Sequence, residues 1–242
     1  MAEKRLVKNG KKLGVIGGMG SAASAEFLRI LAANAPAFVD QEHPVVYMIA
    51  DSDLPDRSTA ILGKGPSPAG KLYEDFLQLA NMGADIFAVP CNTVHYFIDR
   101  FEKPLPRPLI HIVEETVLAA QKLNSNGSWM LSTLGTVQSG LYQEYAQKYN
   151  YTLHLPNSKQ RQLIQQSIDE VKANNMMEAG RLVRQVAEEL WAEKELPIMM
   201  ACTEIPLGYA ASGLPQEKAI SSLQALADAC IRELYYKKAG VE

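Results

Sequence analysis

Short apolar runs that end in glycine or a small polar residue alternate along the chain with longer amphipathic segments. A run that is apolar throughout suits a parallel strand buried on both faces, and parallel neighbours need a helical crossover to join them. The pattern predicts an α/β fold. Strands are expected at residues 13–16, 45–49, 85–89, 109–112, 129–132, 151–153 and 198–201. Helices are expected at residues 21–33, 69–82, 93–101, 114–123, 140–149, 160–173, 176–194 and 216–237.

Two internal echoes refine this. "KLGVIGGMGSAASAEFLRIL" and "SWMLSTLGTVQSGLYQEYAQ" both read as strand, glycine-containing turn, small hydroxyl residues, then helix. "DIFAVPCNT" and "PIMMACTE" are each an apolar strand ending in cysteine, with a hydroxyl residue shortly after. Both echoes repeat at nearly the same interval, so two similar α/β lobes are expected. Pro104, Pro106 and Pro108 punctuate the chain before the strand at 109–112. The expected division is a first lobe over residues 1–113, a second over 114–213, and a C-terminal segment, 214–242, that returns to the first.

Composition narrows the function classes. The chain has 242 residues, 47% hydrophobic and 21% charged, which is enough apolar material for one large core or two small ones. A net charge of -3 gives no basic field for nucleic acid or an anionic membrane surface. Small molecules and protein subunits remain as partners. No apolar run reaches the roughly 20 residues of a membrane span. The start, "MAEKRLVKNGKK", lacks a secretory apolar stretch and reads as a solvated basic tail. Three cysteines, Cys91, Cys202 and Cys230, suit free thiols in a reducing cytoplasm rather than a disulfide framework. Cys91 and His95 alone make a poor zinc set, and no metal site is expected.

Chemistry concentrates at the first two cysteines. In open α/β sheets the ligand crevice lies beyond the carboxyl ends of the strands, where Cys91 and Cys202 both fall. A helix starting just after each would aim backbone N–H groups at the thiol, favouring thiolate and attracting a carboxylate ligand. Cys230, on the apolar face of "LQALADACIREL", reads as a small core residue. Gly18-x-Gly20-x-x-Ala23 fits a dinucleotide fingerprint, which would make an oxidoreductase, but the acid expected on the ribose is poorly met by Asp40 or Asp51. His95 invites a Cys-His hydrolase reading, against which a histidine packed under the site is preferred.

The segments "GVIGGMGS", "LPDR", "VPCNTVH", "PLIHIVEET", "LGTVQSGLY" and "CTEIPL" together resemble the cofactor-independent aspartate/glutamate racemase family, most closely its aspartate racemase branch. The resemblance runs from about Leu13 to the C-terminal helix. It implies two pseudosymmetric lobes with the active site between them, no pyridoxal or other cofactor, and a homodimer. It places the two catalytic cysteines at Cys91 and Cys202, on opposite faces of the substrate. Inverting a stereocentre through a planar intermediate needs proton removal on one face and return on the other, which two thiols supply. Donors to the α-carboxylate are expected at Asn92, Thr93 and Thr203, and Met19 and Gly20 are expected to line the cleft, with Thr133, Thr136 and Ser139 as their second-lobe counterparts. Arg57 matches the family's substrate arginine, and Lys172 matches, by context and spacing from Cys202, the lysine that helps hold the distal carboxylate. Glu204 is expected to orient its surroundings or meet the amino group. The expected activity is racemisation of aspartate, with glutamate as second candidate. The alternatives are a related isomerase or decarboxylase of small dicarboxylates, such as maleate isomerase or arylmalonate decarboxylase, and a noncatalytic carboxylate-binding protein.

Overall fold

A computed structural model describes residues 6–237. Its elements run β1 (Leu6–Lys8), β2 (Leu13–Gly17), α1 (Ser21–Asn34), β3 (Val46–Ala50), α2 (Arg57–Ile61), α3 (Ala69–Asn81), β4 (Ile86–Ala88), α4 (His95–Ile98), β5 (Leu109–Ile110) and α5 (Ile112–Leu123). They continue with β6 (Ser128–Leu131), α6 (Leu134–Ser139), α7 (Leu141–Lys148), β7 (Leu153–His154), α8 (Ser158–Lys172), α9 (Met176–Glu193), β8 (Ile198–Met200), α10 (Ile205–Ser212), β9 (Ala219–Ser221), α11 (Ser222–Leu234) and β10 (Tyr235–Lys237).

Two four-stranded sheets carry the fold, in the orders β3-β2-β4-β5 and β7-β6-β8-β9, with every pairing parallel. The orders are the same once the second set is renamed, so the α/β expectation and the paired lobes are borne out. In each sheet the chain leaves a central strand, pairs on one side, then returns to the other side. That reversal lies between β2 and β4 and between β6 and β8, where a crevice opens beyond the strand ends.

Strands buried on both faces need cover on both. Phe76, Leu72 and Leu79 of α3 cover the outer face of the first sheet together with Ile16 and Phe87. Val183, Val186 and Leu190 of α9 do the same for the second sheet with Leu131 and Ile198. A third cluster lies between the sheets and holds Val15, Phe27, Met130, Tyr142, Met199, Leu223 and Leu226. Fully burying side chains of this size contributes about 1.5–3 kcal/mol each. The shared cluster makes the lobes one packed body.

Several sequence expectations are corrected. The basic start is not simply a solvated tail: β1 pairs antiparallel with β10, Val7 opposite Tyr236, while residues 1–5 lie outside the described residues. The long final helix expected at 216–237 is a 3-10 turn, β9, α11 and β10. β9 extends the second sheet through Ser221, and α11 then packs against α1 and α5. The helix expected at 93–101 shrinks to α4, with turns on either side. α5 starts earlier than residue 114 because His111 caps it, its Nδ1 accepting from the Glu114 amide. Gly140, at φ 73, separates α6 from α7. Among the described residues no helix is long and apolar enough to cross a membrane.

Candidate active site

The turns after β2, β4, β6 and β8 meet in one cleft, whose empty volume is about 310 Å³ including its open mouth. Cys91 and Cys202 both line it, each 5% exposed. Cys91 follows β4 and Cys202 follows β8, so each sits at the reversal point of its sheet. Burial pushes both thiols above the usual range. Neighbours then act in opposite senses. At Cys91 the Arg57 guanidinium and the Val94 amide pull the value back down, against the carboxylate of Glu204. At Cys202 that carboxylate adds to burial and drives the thiol well up, only partly offset by the Glu204 amide and Lys172.

Residues next to the cysteines tie the lobes together. Asn92 is buried; its Oδ1 accepts from Tyr142 Oη at 2.6 Å and its Nδ2 donates to Ser222 Oγ at 3.0 Å. One amide N–H of Asn92 is left over for a ligand in the cleft. Thr93 Oγ1 lies 3.2 Å from Thr133 Oγ1 and 2.9 Å from Thr136 Oγ1. Thr133 also caps α6, accepting from the Thr136 amide at 3.0 Å. Thr136 thus reaches the cleft only through its neighbours. Ser139 does not line the cleft as expected: its hydroxyl donates to the Thr136 carbonyl and accepts from the Leu141 amide, closing the turn at Gly140.

Glu204 is 4% exposed and lines the cleft. Its Oε2 accepts from Cys202 Sγ at 3.1 Å and from Thr203 Oγ1 at 3.3 Å, and its Oε1 accepts from the Gly20 amide at 3.1 Å. A Cβ added at position 20 would stand 3.1 Å from the same oxygen and would press on this bond. Met19 lines the cleft beside it. The glycine turn is therefore a poor dinucleotide cradle. Its Gly18 amide is bound by Ser24 Oγ, its Gly20 amide by Glu204, and a buried carboxylate stands where a pyrophosphate would bring more negative charge.

Arg57 and Lys172 bring positive charge to the cleft. Arg57 opens α2, a helix not foreseen in the sequence, whose cap Asp56 accepts from the Thr59 amide at 2.7 Å. The guanidinium Nη1 donates to the carbonyls of Leu54 and Pro55, while Nε is buried with no hydrogen-bond partner among the described residues. Lys172 is the last residue of α8 and stays exposed at the mouth. Burial pushes the Asp56 carboxyl up, but hydrogen bonds from Thr59, with smaller help from the charges of Arg57 and Lys172, hold it low. Asp56 and Ser58 line the cleft too and were missed. The capping position of Asp56, directly before Arg57, was a usable signal; Ser58 offered none. Ser58 packs on Gly135, where a Cβ would come within 2.7 Å of its Cα.

His95 lies under Cys91 and is fully buried. Its Nδ1 is 2.8 Å from the Cys91 carbonyl, which can only accept, so the proton sits on Nδ1. This packed role is the one preferred from the sequence. Cys230 is fully buried within α11, away from the cleft.

Known proteins share this fold. Over 199 residues, 80% of this chain and 85% of the relative, the chain is 25% identical to the broad specificity amino-acid racemase RacX of Bacillus subtilis. The structure superposes on the Picrophilus torridus aspartate racemase with a TM-score of 0.83 and 28% identity, covering 93% of this chain and 94% of the other. It also shares its fold with glutamate racemase isoform RacE1 from Bacillus anthracis, at a TM-score of 0.65 and 18% identity over 93% of this chain and 82% of that one. The pattern of Asp/Glu/hydantoin racemases matches residues 16–230, a span that holds both cysteine strands and the cleft between them, and the chain belongs to that family.

Proposed function

We propose that this protein is an amino-acid racemase that interconverts L- and D-aspartate, with glutamate as the alternative substrate, by proton transfer between Cys91 and Cys202. The observation that carries this reading is the placement of two buried thiols at equivalent strand ends in one cleft that also holds Arg57 and Lys172. One sulfur, as thiolate, takes the Cα proton, and the other, as thiol, returns a proton to the opposite face. The α-proton beside a carboxylate is very weakly acidic, so the charge that develops must meet donors already in place. The free Asn92 side-chain N–H and the backbone N–H groups near Asn92, Thr93 and Thr203 are those donors. Arg57 reads the distal carboxylate with a planar fork, and Lys172 assists from the mouth. The protein works as a homodimer, a part of the reading that rests on resemblance alone, in the cytoplasm, a part that rests on its free cysteines.

The test is solvent deuterium incorporation at Cα, followed by NMR with each enantiomer of aspartate in turn. Exchange from both, with matching loss of optical rotation, is expected. Exchange from neither makes the protein a carboxylate binder or an isomerase of another dicarboxylate.

A further inference from the structure

The two thiols are equally shielded but not equally paired. Glu204 Oε2 accepts from the Cys202 thiol at 3.1 Å and from Thr203 Oγ1 at 3.3 Å, and Oε1 accepts from the Gly20 amide. A thiolate at Cys202 would face this buried anion at the same short distance, with Lys172 at the exposed mouth as its offset. Among the described residues Cys91 has no such partner. The residue two places on is Thr93, whose hydroxyl is engaged by Thr133 and Thr136, and the charged side chain that lines the cleft with Cys91 and favours its thiolate is the guanidinium of Arg57.

We propose that Glu204 is a positioning residue that holds Cys202 as the thiol, so that the substrate-free enzyme is polarised and Cys91 is the thiolate that ionises first. This rests on the racemase reading and adds a direction to it. The enantiomer whose Cα–H faces Cys91 meets an enzyme ready to react. The Cys91 thiolate takes that proton and becomes a thiol, the C–H electron pair passes into the enediolate, and the Cys202 thiol delivers its proton to the other face. The enzyme is left with a thiolate at Cys202 beside Glu204. Resetting requires one proton to pass from Cys91 to Cys202. The other enantiomer binds only this less favoured form. Because the equilibrium constant of a racemisation is one, kcat/KM is the same in both directions, and the polarity appears as unequal kcat and unequal KM that compensate each other.

The experiment is alkylation of the substrate-free, full-length protein by limiting iodoacetamide, with peptide mass mapping over time. Thiolate fraction sets the rate, so a difference of one pKa unit reads as about tenfold. The two cysteine residues are equally buried and line the same cleft, which weakens access as a rival cause. Cys91 is expected to react about tenfold or more ahead of Cys202. Glu204→Gln, close in shape, is expected to speed Cys202 more than Cys91 and so narrow that ratio, and to bring the two kcat values of the racemase closer together. Fully buried Cys230 serves as an internal reporter, since unfolding would label it too. If Glu204→Gln labels Cys230, Glu204→Asp replaces it and must narrow the ratio. Cys202 reacting first or equally in the wild type overturns the proposal, as does an unchanged ratio in the folded variant. Ordered alkylation without deuterium exchange from aspartate would instead leave the polarity standing and defeat the racemase reading.

Discussion

The end of β4 and the end of β8 are built on one plan and charged differently. Both strands occupy the same place in the same sheet order, and both deliver a cysteine into the cleft. Two residues beyond it the first has Thr93, neutral and locked to the opposite lobe, whereas the second has Glu204, anionic and bonded to its own cysteine. Beneath the first lies His95, bonded to the Cys91 backbone; α10, an eight-residue helix with proline in its first turn, follows the second. A repeated α/β unit thus duplicates the frame while the polar residues on it diverge. Symmetry fits the chemistry of a substrate attacked from two faces; asymmetry fits an enzyme that must hold one proton, not two.

The largest effects should come from treating the two ends as equals. Cys91→Ser and Cys202→Ser should each abolish racemisation with the fold intact, because a serine hydroxyl is far too weak an acid to supply the base and a positioned acid or base contributes about 10²–10⁴-fold. Rates are read by circular dichroism of aspartate and the fold by far-ultraviolet spectra. Near-normal turnover of both enantiomers by either variant would remove the two-base mechanism.

Charge recognition should be the next largest effect, and it too is unequal across the cleft. On the proposed reading Arg57→Ala would remove a charge-assisted partner of the distal carboxylate, worth roughly 1.5–3 kcal/mol, so kcat/KM for aspartate should fall about ten- to a hundredfold or more. Arg57→Lys keeps the charge but loses the fork and should recover only part. Lys172→Ala should cost less, in keeping with its exposed position. The double variant should show coupling if both hold one carboxylate. An unchanged preference for aspartate over alanine in Arg57→Ala would take Arg57 away from the side-chain carboxylate.

The corner under Cys91 also has its own pH signature. Burial first, then the neighbouring His111, hold His95 down to about 3, against smaller upward pulls from the Cys91 carbonyl and Asp99. The unfolded chain regains a proton on this ring near 6.5, so between about 6.5 and about 3 the unfolded state binds more protons. Stability should therefore fall as pH drops through this window and be unaffected by His95 above it. His95→Gln should flatten that part of the urea-unfolding profile. If the slope survives the substitution, His95 is not its source.

How much of this was legible follows from what each residue depends on. Buried parallel strands announce themselves in any single stretch of sequence, so all seven expected strands recur within a residue or two of their place. β1, β9 and β10 escaped because each is three residues long and owes its existence to a partner far along the chain: Leu6 pairs with Lys237, and Ile220 with Met199. In the site, the cleft-lining cysteines, Arg57 and Glu204 were expected because chemistry or family pattern marks them. Tyr142 and Ser222, which fix Asn92, carry no local mark, since an aromatic on a helix face and a serine cap look the same whether or not a buried amide lies beyond them. Ser139 misled for the converse reason: its place in the echoing turn was right, but its hydroxyl serves the backbone.

The smallest expected effect belongs to the third cysteine, and it sharpens the comparison by serving as its control. Cys230 is fully buried in α11, and burial above all, with Glu115 adding, drives its thiol far above the usual range. It has no acid-base work to do. In Cys230→Ser a hydroxyl takes the place of a sulfur in apolar surroundings, with the carbonyl one helical turn back as an available acceptor. A buried hydroxyl without a partner costs about 1–3 kcal/mol, and a partial partner puts the expected loss near the low end. The denaturation midpoint should fall while the m-value holds, and kcat and KM for both enantiomers should stay as they are. A loss of activity larger than the loss of folded protein would mean that thiol chemistry here is not confined to the two strand ends.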